Sequence, residues 1–329
     1  MAKLFSFVQN VPGLGVFPVR PPAGQDWEVT GLGSSVFVGV PPAGVPNIQA
    51  GIFNDTVAVN SLMRQSSLAN PHIRGWNAPP QWHINNANYL QLINPEAGAL
   101  DFAVSIRMTR AYGPATASSV ISGTQTINAG DRILLQPPTG QDQVITDIGS
   151  DVWLGAQPNG LPDVRVDLTD GNIFAQLADN ANVRGWFRPF ELYLNNTTYL
   201  ALTNTSAVPA TISWSGYAAR NYGPSGFSGV ISQVITIDGG GVATIRPPAG
   251  FEMMVSDIGC SLWAPGPPGL PNIGVALTAG GIAPVLQDAI NSKGWFGNMS
   301  YYLTRTNYMT ITGAPGAVVG VSAIIWLEQ

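Results

Sequence analysis

Hydrophobic residues in this chain fall into short runs, some of them continuous, as in 199–203, and others alternating with polar residues, as in 164–168 and 211–217. Alternation with a period of two is typical of half-buried β-strands. Glycine, proline, asparagine and aspartate lie between the runs and supply turns. Helical periodicity is scarce, and only the stretches that begin at Asp55 and Ile282 could hold a turn or two of helix. The pattern therefore predicts an all-β chain.

The same pattern of runs occurs three times. A Pro-Pro-x-Gly phrase begins at Pro21, Pro137 and Pro247, so its copies lie 116 and 110 residues apart. In each copy a glycine and a small residue follow 12 residues later, and a large aromatic residue follows after 16. A period near 110 is longer than a solenoid unit of about 20 to 50 residues and matches a small domain. The sequence thus predicts three homologous domains in tandem.

The predicted domains span residues 1–113, 114–223 and 224–329, each of about 110 residues, with short Gly/Pro/Ser connectors at their boundaries. The first domain carries an extra loop near 58–73. About eight strands in a domain of this length indicate a β-sandwich, either jelly-roll-like or another Greek-key type. The sequence leaves the strand order open.

The Pro-Pro-x-Gly phrase has two interpretations, a turn between strands or a proline-lined ligand platform. Proline cannot donate to a strand ladder and glycine accepts positive φ, so the phrase suits a turn. The polar residues after it differ among the copies, whereas a recognition loop would keep them. We therefore favour the turn.

Cys260 occupies the position that Ser34 and Ser150 hold in the other two repeats. A residue that exchanges with serine at a small site is interpreted as structural.

Charged residues make up only 10% of the chain, against roughly 25% in a typical soluble domain. Such a surface repels its neighbours weakly and suits a protein that works packed against others. The net charge of -5 and the lack of a basic run argue against nucleic acid as a partner. No apolar stretch is long enough to span a membrane, and the first residues do not resemble a signal peptide, so synthesis in a cytoplasm without membrane insertion is expected.

No catalytic signature is found in the sequence. Phosphate-binding loops, nucleophile elbows and dinucleotide-binding glycine motifs are all missing, so we expect neither an enzyme nor a cofactor. His72 and His83 have no carboxylate in metalloprotease register and are interpreted as surface or interface residues. A single cysteine excludes an intrachain disulfide and a cysteine zinc site.

Asp163, Asp167 and Asp170 are close enough in sequence to suggest a calcium site, because Ca²⁺ takes six to eight oxygen ligands. Their counterparts in the other repeats are largely asparagine or apolar residues. A solvated acidic edge is therefore the favoured interpretation, and no metal is predicted.

A basic residue precedes a Gly-Trp pair in every repeat. The structural interpretation is a cation that covers the tryptophan or pairs with a carboxylate. The functional interpretation is a contact with an acidic partner surface or with a sugar. The candidate interaction residues are Arg74, Trp76, Arg184, Trp186, Lys293 and Trp295.

Phrases such as "RPPAGQDWEVTGLGSS" and "RPPAGFEMMVSDIGC", in a chain with very few charges and tandem β-sandwiches, resemble bacteriophage virion structural proteins of the capsid decoration, cement or head-fibre type. The resemblance implies a non-enzymatic protein of the virion that binds capsid protein, copies of itself, or both. The alternative is a receptor-binding module whose tryptophans, Trp76, Trp186 or Trp295, stack on a host surface glycan.

Overall fold

A computed structural model describes residues 3–38, 45–55, 61–65, 81–110, 120–154, 161–178, 191–220, 229–237, 241–264, 270–279, 281–282, 285–287 and 301–327. Within these ranges every regular element is a β-strand. The prediction of an all-β chain is confirmed.

Ten strands recur in the same order in each repeat. The first repeat contains β1 (Lys3–Val11), β2 (Val16–Val19), β3 (Asp26–Ser34), β4 (Phe37–Val38), β5 (Val45–Pro46), β6 (Gln49–Phe53), β7 (Ser61–Gln65), β8 (Trp82–Ile84), β9 (Tyr89–Ile93) and β10 (Leu100–Arg110). The second contains β11 (Gly123–Ile127), β12 (Arg132–Leu135), β13 (Asp142–Ser150), β14 (Trp153–Leu154), β15 (Leu161–Pro162), β16 (Val164–Thr169), β17 (Phe174–Ala178), β18 (Leu192–Leu194), β19 (Tyr199–Asn204) and β20 (Ala210–Arg220). The third contains β21 (Gln233–Thr236), β22 (Val242–Ile245), β23 (Phe251–Cys260), β24 (Trp263–Ala264), β25 (Leu270–Pro271), β26 (Ile273–Ala279), β27 (Val285–Gln287), β28 (Tyr301–Leu303), β29 (Asn307–Gly313) and β30 (Val318–Leu327).

Eight strands of each repeat form two four-stranded sheets, and the remaining two form a small ribbon. In the first repeat the sheet orders are β1-β10-β3-β8 and β2-β9-β6-β7, and the other repeats have the equivalent orders. The described strand pairs are antiparallel. The first, third, sixth and eighth main strands share one sheet, and the others form the second sheet. This is the order of a jelly roll, which resolves what the sequence left open.

The alternation of residue types in β10 explains which face is buried. Phe102, Val104 and Ile106 point inward and are buried in the core of the first repeat, whereas Ala103 and Ser105 are exposed. A core of the same kind, built from β21 to β30, lies in the third repeat. Each fully buried large apolar side chain contributes about 1.5 to 3 kcal/mol to folding.

The Pro-Pro-x-Gly phrase forms a tight turn in all three repeats. Its glycines, Gly24, Gly140 and Gly250, have φ angles of 85°, 82° and 80°. The residue after each glycine donates its N–H to the carbonyl of the second proline, at 3.0 to 3.2 Å. Positive φ at the third turn position requires glycine, so the structural interpretation of the phrase is confirmed.

A buried asparagine closes one end of the first two repeats. The amide of Asn94 donates to the carbonyls of Val11, Pro12 and Gly98, at 2.8 to 3.0 Å. Asn204 makes the equivalent set of bonds, at 2.9 to 3.3 Å. One side chain thus donates to three carbonyl groups and links the end of the first strand of the repeat to two turns.

The chain divides into two compact units. Unit 1 comprises Met1–Asp131, Ile145–Val164 and Asn204–Ala218, and unit 2 comprises Arg132–Val144, Arg165–Thr203 and Ala219–Gln329. The division runs through the second repeat, so that each unit contains one packing interface between successive repeats. The predicted boundaries at 113/114 and 223/224 fall outside the described residues and stay a prediction.

Candidate interaction interface

The edge strand β8 of the first repeat meets the second repeat through side-chain hydroxyls. The N–H of His83 donates to Ser215 Oγ at 2.8 Å, and the hydroxyl of Ser122 donates to the carbonyl of His83. Thr146 Oγ1 donates to the carbonyl of Gln81 at 2.7 Å. We call these contacts the first interface. They give hydrogen-bonding partners to peptide groups that an edge strand would otherwise expose.

Three neighbouring strands of one sheet bring these hydroxyls together, and we call Ser122, Thr146 and Ser215 a hydroxyl triad. Ser215 lies on β20, Thr146 lies on β13, and Ser122 directly precedes β11. A β-bulge re-aims a side chain out of the regular alternation. The register shift between Val255 and Asp257 on β23 marks such a bulge at Ser256, the third-repeat counterpart of Thr146.

The second interface, between the second and third repeats, has the same construction. The N–H of Tyr193 donates to Ser322 Oγ at 2.9 Å, and Ser232 Oγ donates to the carbonyl of Tyr193 at 2.6 Å. Ser256 Oγ donates to the carbonyl of Glu191 at 2.8 Å. Ser232, Ser256 and Ser322 are therefore the second hydroxyl triad, and each is buried.

Side chains around each triad complete the packing. In the first interface, Trp82 Nε1 donates to Asp147 Oδ2 at 2.6 Å, and the rings of His83 and Tyr217 lie 4.6 Å apart. The second interface depends on small residues. A Cβ added at Gly259 would lie 2.5 Å from a methyl carbon of Leu177, and one at Gly320 would lie 2.8 Å from the Cβ of Ala175.

Burial shifts the pKa values of two side chains that lie next to the hydroxyl triads. The pKa of His83 is lowered to about 4, mainly because burial desolvates the imidazole; the charge of Arg107 contributes to the shift, and that of Asp26 opposes it. His83 is therefore neutral at neutral pH. Burial also raises the pKa of Glu191, whose carbonyl accepts the hydrogen bond from Ser256.

The sequence matches no protein-family model and no curated protein. The solved structures that are similar to the chain include the following two. The major capsid protein P2 from bacteriophage PM2 is 15% identical, with 69% of this chain and 100% of that chain covered and a TM-score of 0.28. The STIV MCP is 10% identical, with 65% and 96% covered and a TM-score of 0.27. P2 is by its name a capsid protein of a bacteriophage, which is the general class of virion proteins that the sequence resembles.

Cys260 is a structural residue, as the sequence predicts. Its side chain is fully buried, and its sulfur accepts the N–H of Leu262 at 3.4 Å. The hydroxyl of Ser150 accepts the N–H of Val152 at 3.1 Å, and Ser34 accepts that of Val36 at 3.3 Å. The equivalent turn in each repeat is thus stabilised by the same hydrogen bond, whose acceptor is a sulfur in the third repeat and a hydroxyl oxygen in the other two.

The three acids of the second repeat do not form the solvated edge that the sequence suggests. Asp163 accepts the hydroxyl of Thr205 at 2.6 Å, and Asp167 accepts Arg165 Nε at 2.9 Å. Both are buried, so for these two the expectation is wrong: a buried carboxylate needs such partners because desolvation is costly. Asp170 accepts the N–H groups of a turn. No cluster of metal-ligating side chains occurs among the described residues.

The candidate interaction residues of the sequence lie outside the described residues and stay a prediction: Arg74, Trp76, Arg184, Trp186, Lys293 and Trp295. The same holds for His72 and for most of the loop near 58–73. His83 is an interface residue, one of the two interpretations that the sequence allowed. Among the described residues there is no helix that could cross a membrane.

The hydroxyl triads are the contacts that sequence reasoning missed. Thr30, Thr146 and Ser256 each stand nine residues after the first proline of the repeat, and that recurrence was the available signal.

Sequence reasoning also missed a cation–π contact in which an arginine lies over a tyrosine ring. Arg20 lies 3.7 Å from the ring centre of Tyr89, and Arg246 lies at the same distance from that of Tyr308.

Replacing the central hydroxyl of the first interface should destabilise unit 1. Ser215→Ala leaves the buried N–H of His83 without its acceptor, which costs about 1 to 3 kcal/mol in the free energy of unfolding. Ser105→Ala, the same change at the exposed counterpart in the first repeat, should have almost no effect in dilute protein. Urea denaturation of both variants tests this, and equal effects would contradict the role given to Ser215.

A methyl group at Gly259 should weaken the second interface. Gly259→Ala forces Leu177 and the backbone of Gln176 to move, and overpacking of this kind costs about 1 to 3 kcal/mol. Gly33→Ala is the matched control, because its nearest neighbour, the Cβ of Ala103, lies 3.6 Å away in ordinary contact. Thermal unfolding should show a lower midpoint for the first variant alone.

His83 should make unit 1 less stable in acid. Its pKa is about 4 in the folded protein and about 6.5 when unfolded, so the stability is fully present above pH 6.5. Between pH 6.5 and 4 the unfolded chain binds the proton and the folded chain does not, which lowers the free energy of unfolding by about 2 kcal/mol at pH 5. His83→Gln should lack this component when denaturation is measured at pH 7.5 and pH 5. Parallel pH profiles for the two proteins would refute the assignment.

Proposed function

We propose that the chain is a non-enzymatic structural protein of a virion, of the capsid decoration, cement or head-fibre type, that binds the capsid lattice through its repeated domains. The observation that carries the proposal is the repeated interface. The hydroxyl triad that holds Tyr193 has the same construction as the one that holds His83. The three copies thus preserve their means of packing side by side.

The exposed surface supports a role in assembly. Only 10% of the residues are charged, and apolar side chains such as Leu4, Val8 and Val242 stay more than half exposed. A surface with few charges offers little repulsion to a neighbouring subunit. Buried surfaces that are made of hydroxyls and small residues need no charge pairing when they associate.

The jelly roll is compatible with this role, although fold alone does not decide function. Jelly rolls serve both as virus capsid domains and as lectin domains. The proposal for this chain therefore places capsid protein first among its partners and the virion as its location, after synthesis in the host cytoplasm.

A binding experiment with particles tests the proposal. Purified protein is mixed with capsids prepared without it, and the mixture is sedimented through a sucrose cushion. We expect saturable co-sedimentation and a higher temperature for capsid disruption, with an unrelated protein of similar mass as the control. Absence from the pellet together with retention on a glycan surface would instead support the receptor-binding alternative.

A further inference from the structure

The first repeat carries a third hydroxyl triad. Ser6 on β1 lies opposite Ser105 on β10, and Thr30 on β3 stands in the register shift beside Ser105. Thr30 Oγ1 lies 3.4 Å from Ser105 Oγ. These three residues occupy the strand positions that Ser122, Thr146 and Ser215 occupy in the second repeat and Ser232, Ser256 and Ser322 occupy in the third.

Two members of this triad are exposed and Thr30 is half-buried, whereas the two counterparts of the triad are buried by the preceding repeat. Ser6 and Ser105 are exposed, and Leu4 and Val8 on the same face of β1 are 74% and 71% exposed. A depression of about 500 Å³ lies here, lined by Ser6, Val8, Gly31, Gly33, Ala103 and Ser105. We call this surface the docking face.

The shape of the docking face matches what the second interface requires. Gly33 and Ala103 stand at the positions of Gly259 and Gly320, where Leu177 and Ala175 of the preceding repeat pack closely. Both positions on the docking face are small, so they leave room for the same contacts. Gly31 replaces the aspartate that the other two interfaces have at this position, which widens the depression.

The third repeat carries the other half of the interface. Its strand β28 is the edge strand of the sheet β21-β30-β23-β28. Tyr302 on β28 occupies the position of His83 and Tyr193 in the earlier repeats. Those two residues are 6% and 9% exposed because the next repeat covers them, whereas Tyr302 is 66% exposed.

We propose that β28 of one copy of the chain binds the docking face of a second copy and forms a third interface of the same kind. By analogy with the two internal interfaces, the hydroxyls of Ser105 and Ser6 bind peptide groups on the outer side of β28. In the first repeat, Arg107 occupies the position of Tyr217, whose ring lies against that of His83 in the first interface. In the third interface the ring of Tyr302 therefore lies against the guanidinium of Arg107, which is a favourable cation–π contact.

Such an interface joins two different surfaces, so it is heterologous. Heterologous contacts close into rings or continue as filaments, and both are assemblies that a virion component could form. The inference deepens the proposed structural role by naming the partner of two faces. It can be measured with purified protein alone, so its failure is distinguishable from failure of capsid binding.

The first test is the concentration dependence of the mass of the full chain, measured by sedimentation velocity. Wild-type protein should associate as its concentration rises. Ala103→Arg places a long charged side chain in the exposed docking face and should weaken association by at least about tenfold, equivalent to about 1.4 kcal/mol. Ala103→Ser introduces the residue of the second repeat, Ser213, and Val242→Arg adds the same charge at an exposed site elsewhere, so both should associate like wild type.

The second test is cross-linking in a Cys260→Ser background, which removes the native thiol. Chains with Ser105→Cys and chains with Tyr302→Cys are mixed and treated with a short bismaleimide. A covalent dimer should form in the mixture and exceed the yield from either variant alone or from Val242→Cys mixed with Tyr302→Cys. A wild-type chain that stays monomeric at every concentration, unimpaired association of Ala103→Arg, or equal dimer yields from the control pair would overturn the proposal.

Discussion

An edge strand of a β-sheet presents peptide N–H and C=O groups along its outer side, and burying them without partners is costly. This constraint governs how the repeats of this chain meet. In both internal interfaces the edge strand, β8 or β18, is extended by no other strand among the described residues. Serine hydroxyls from the next repeat bind the peptide groups of His83 and Tyr193. A hydroxyl can donate and accept at once, so one small triad satisfies both kinds of group.

Hydroxyl contacts also explain why so few charges are needed. An interface closed by charged pairs would pay a large desolvation penalty for each ion. In the first interface the neutral hydroxyls of Ser122, Thr146 and Ser215 bind the peptide groups of the edge strand, and the buried carboxylate of Asp147 accepts the indole N–H of Trp82 without a paired cation being needed for that contact. The low content of charged residues, 10% of the chain, therefore reflects how the repeats pack as well as the nature of the outer surface.

Much of the fold was predictable because it depends on local patterns. Alternating runs gave the strands, the recurring Pro-Pro-x-Gly phrase gave the turn with positive φ at Gly24, and the exchange of Cys260 with serine indicated a structural site. Strand order was not predictable, because it depends on pairing between strands far apart in sequence, such as β1 with β10. The triads were missed because serine and threonine are common in strands. Their role appears only when the next repeat supplies a peptide group within 3 Å, as His83 does for Ser215.

Covalent linkage changes how strong each interface must be. Successive repeats in one chain face each other at an effective concentration in the millimolar range, so a weak set of hydroxyl contacts is enough to hold them. The same contacts between separate chains lack that advantage. Association through Ser105 and Tyr302 is therefore weaker than the internal packing and needs concentrated protein in solution, whereas a capsid surface that holds copies close together favours it at a lower protein concentration. A protein built in this way is dispersed when dilute and associates when it is concentrated, and the particle provides the local concentration that the peptide chain provides within each copy.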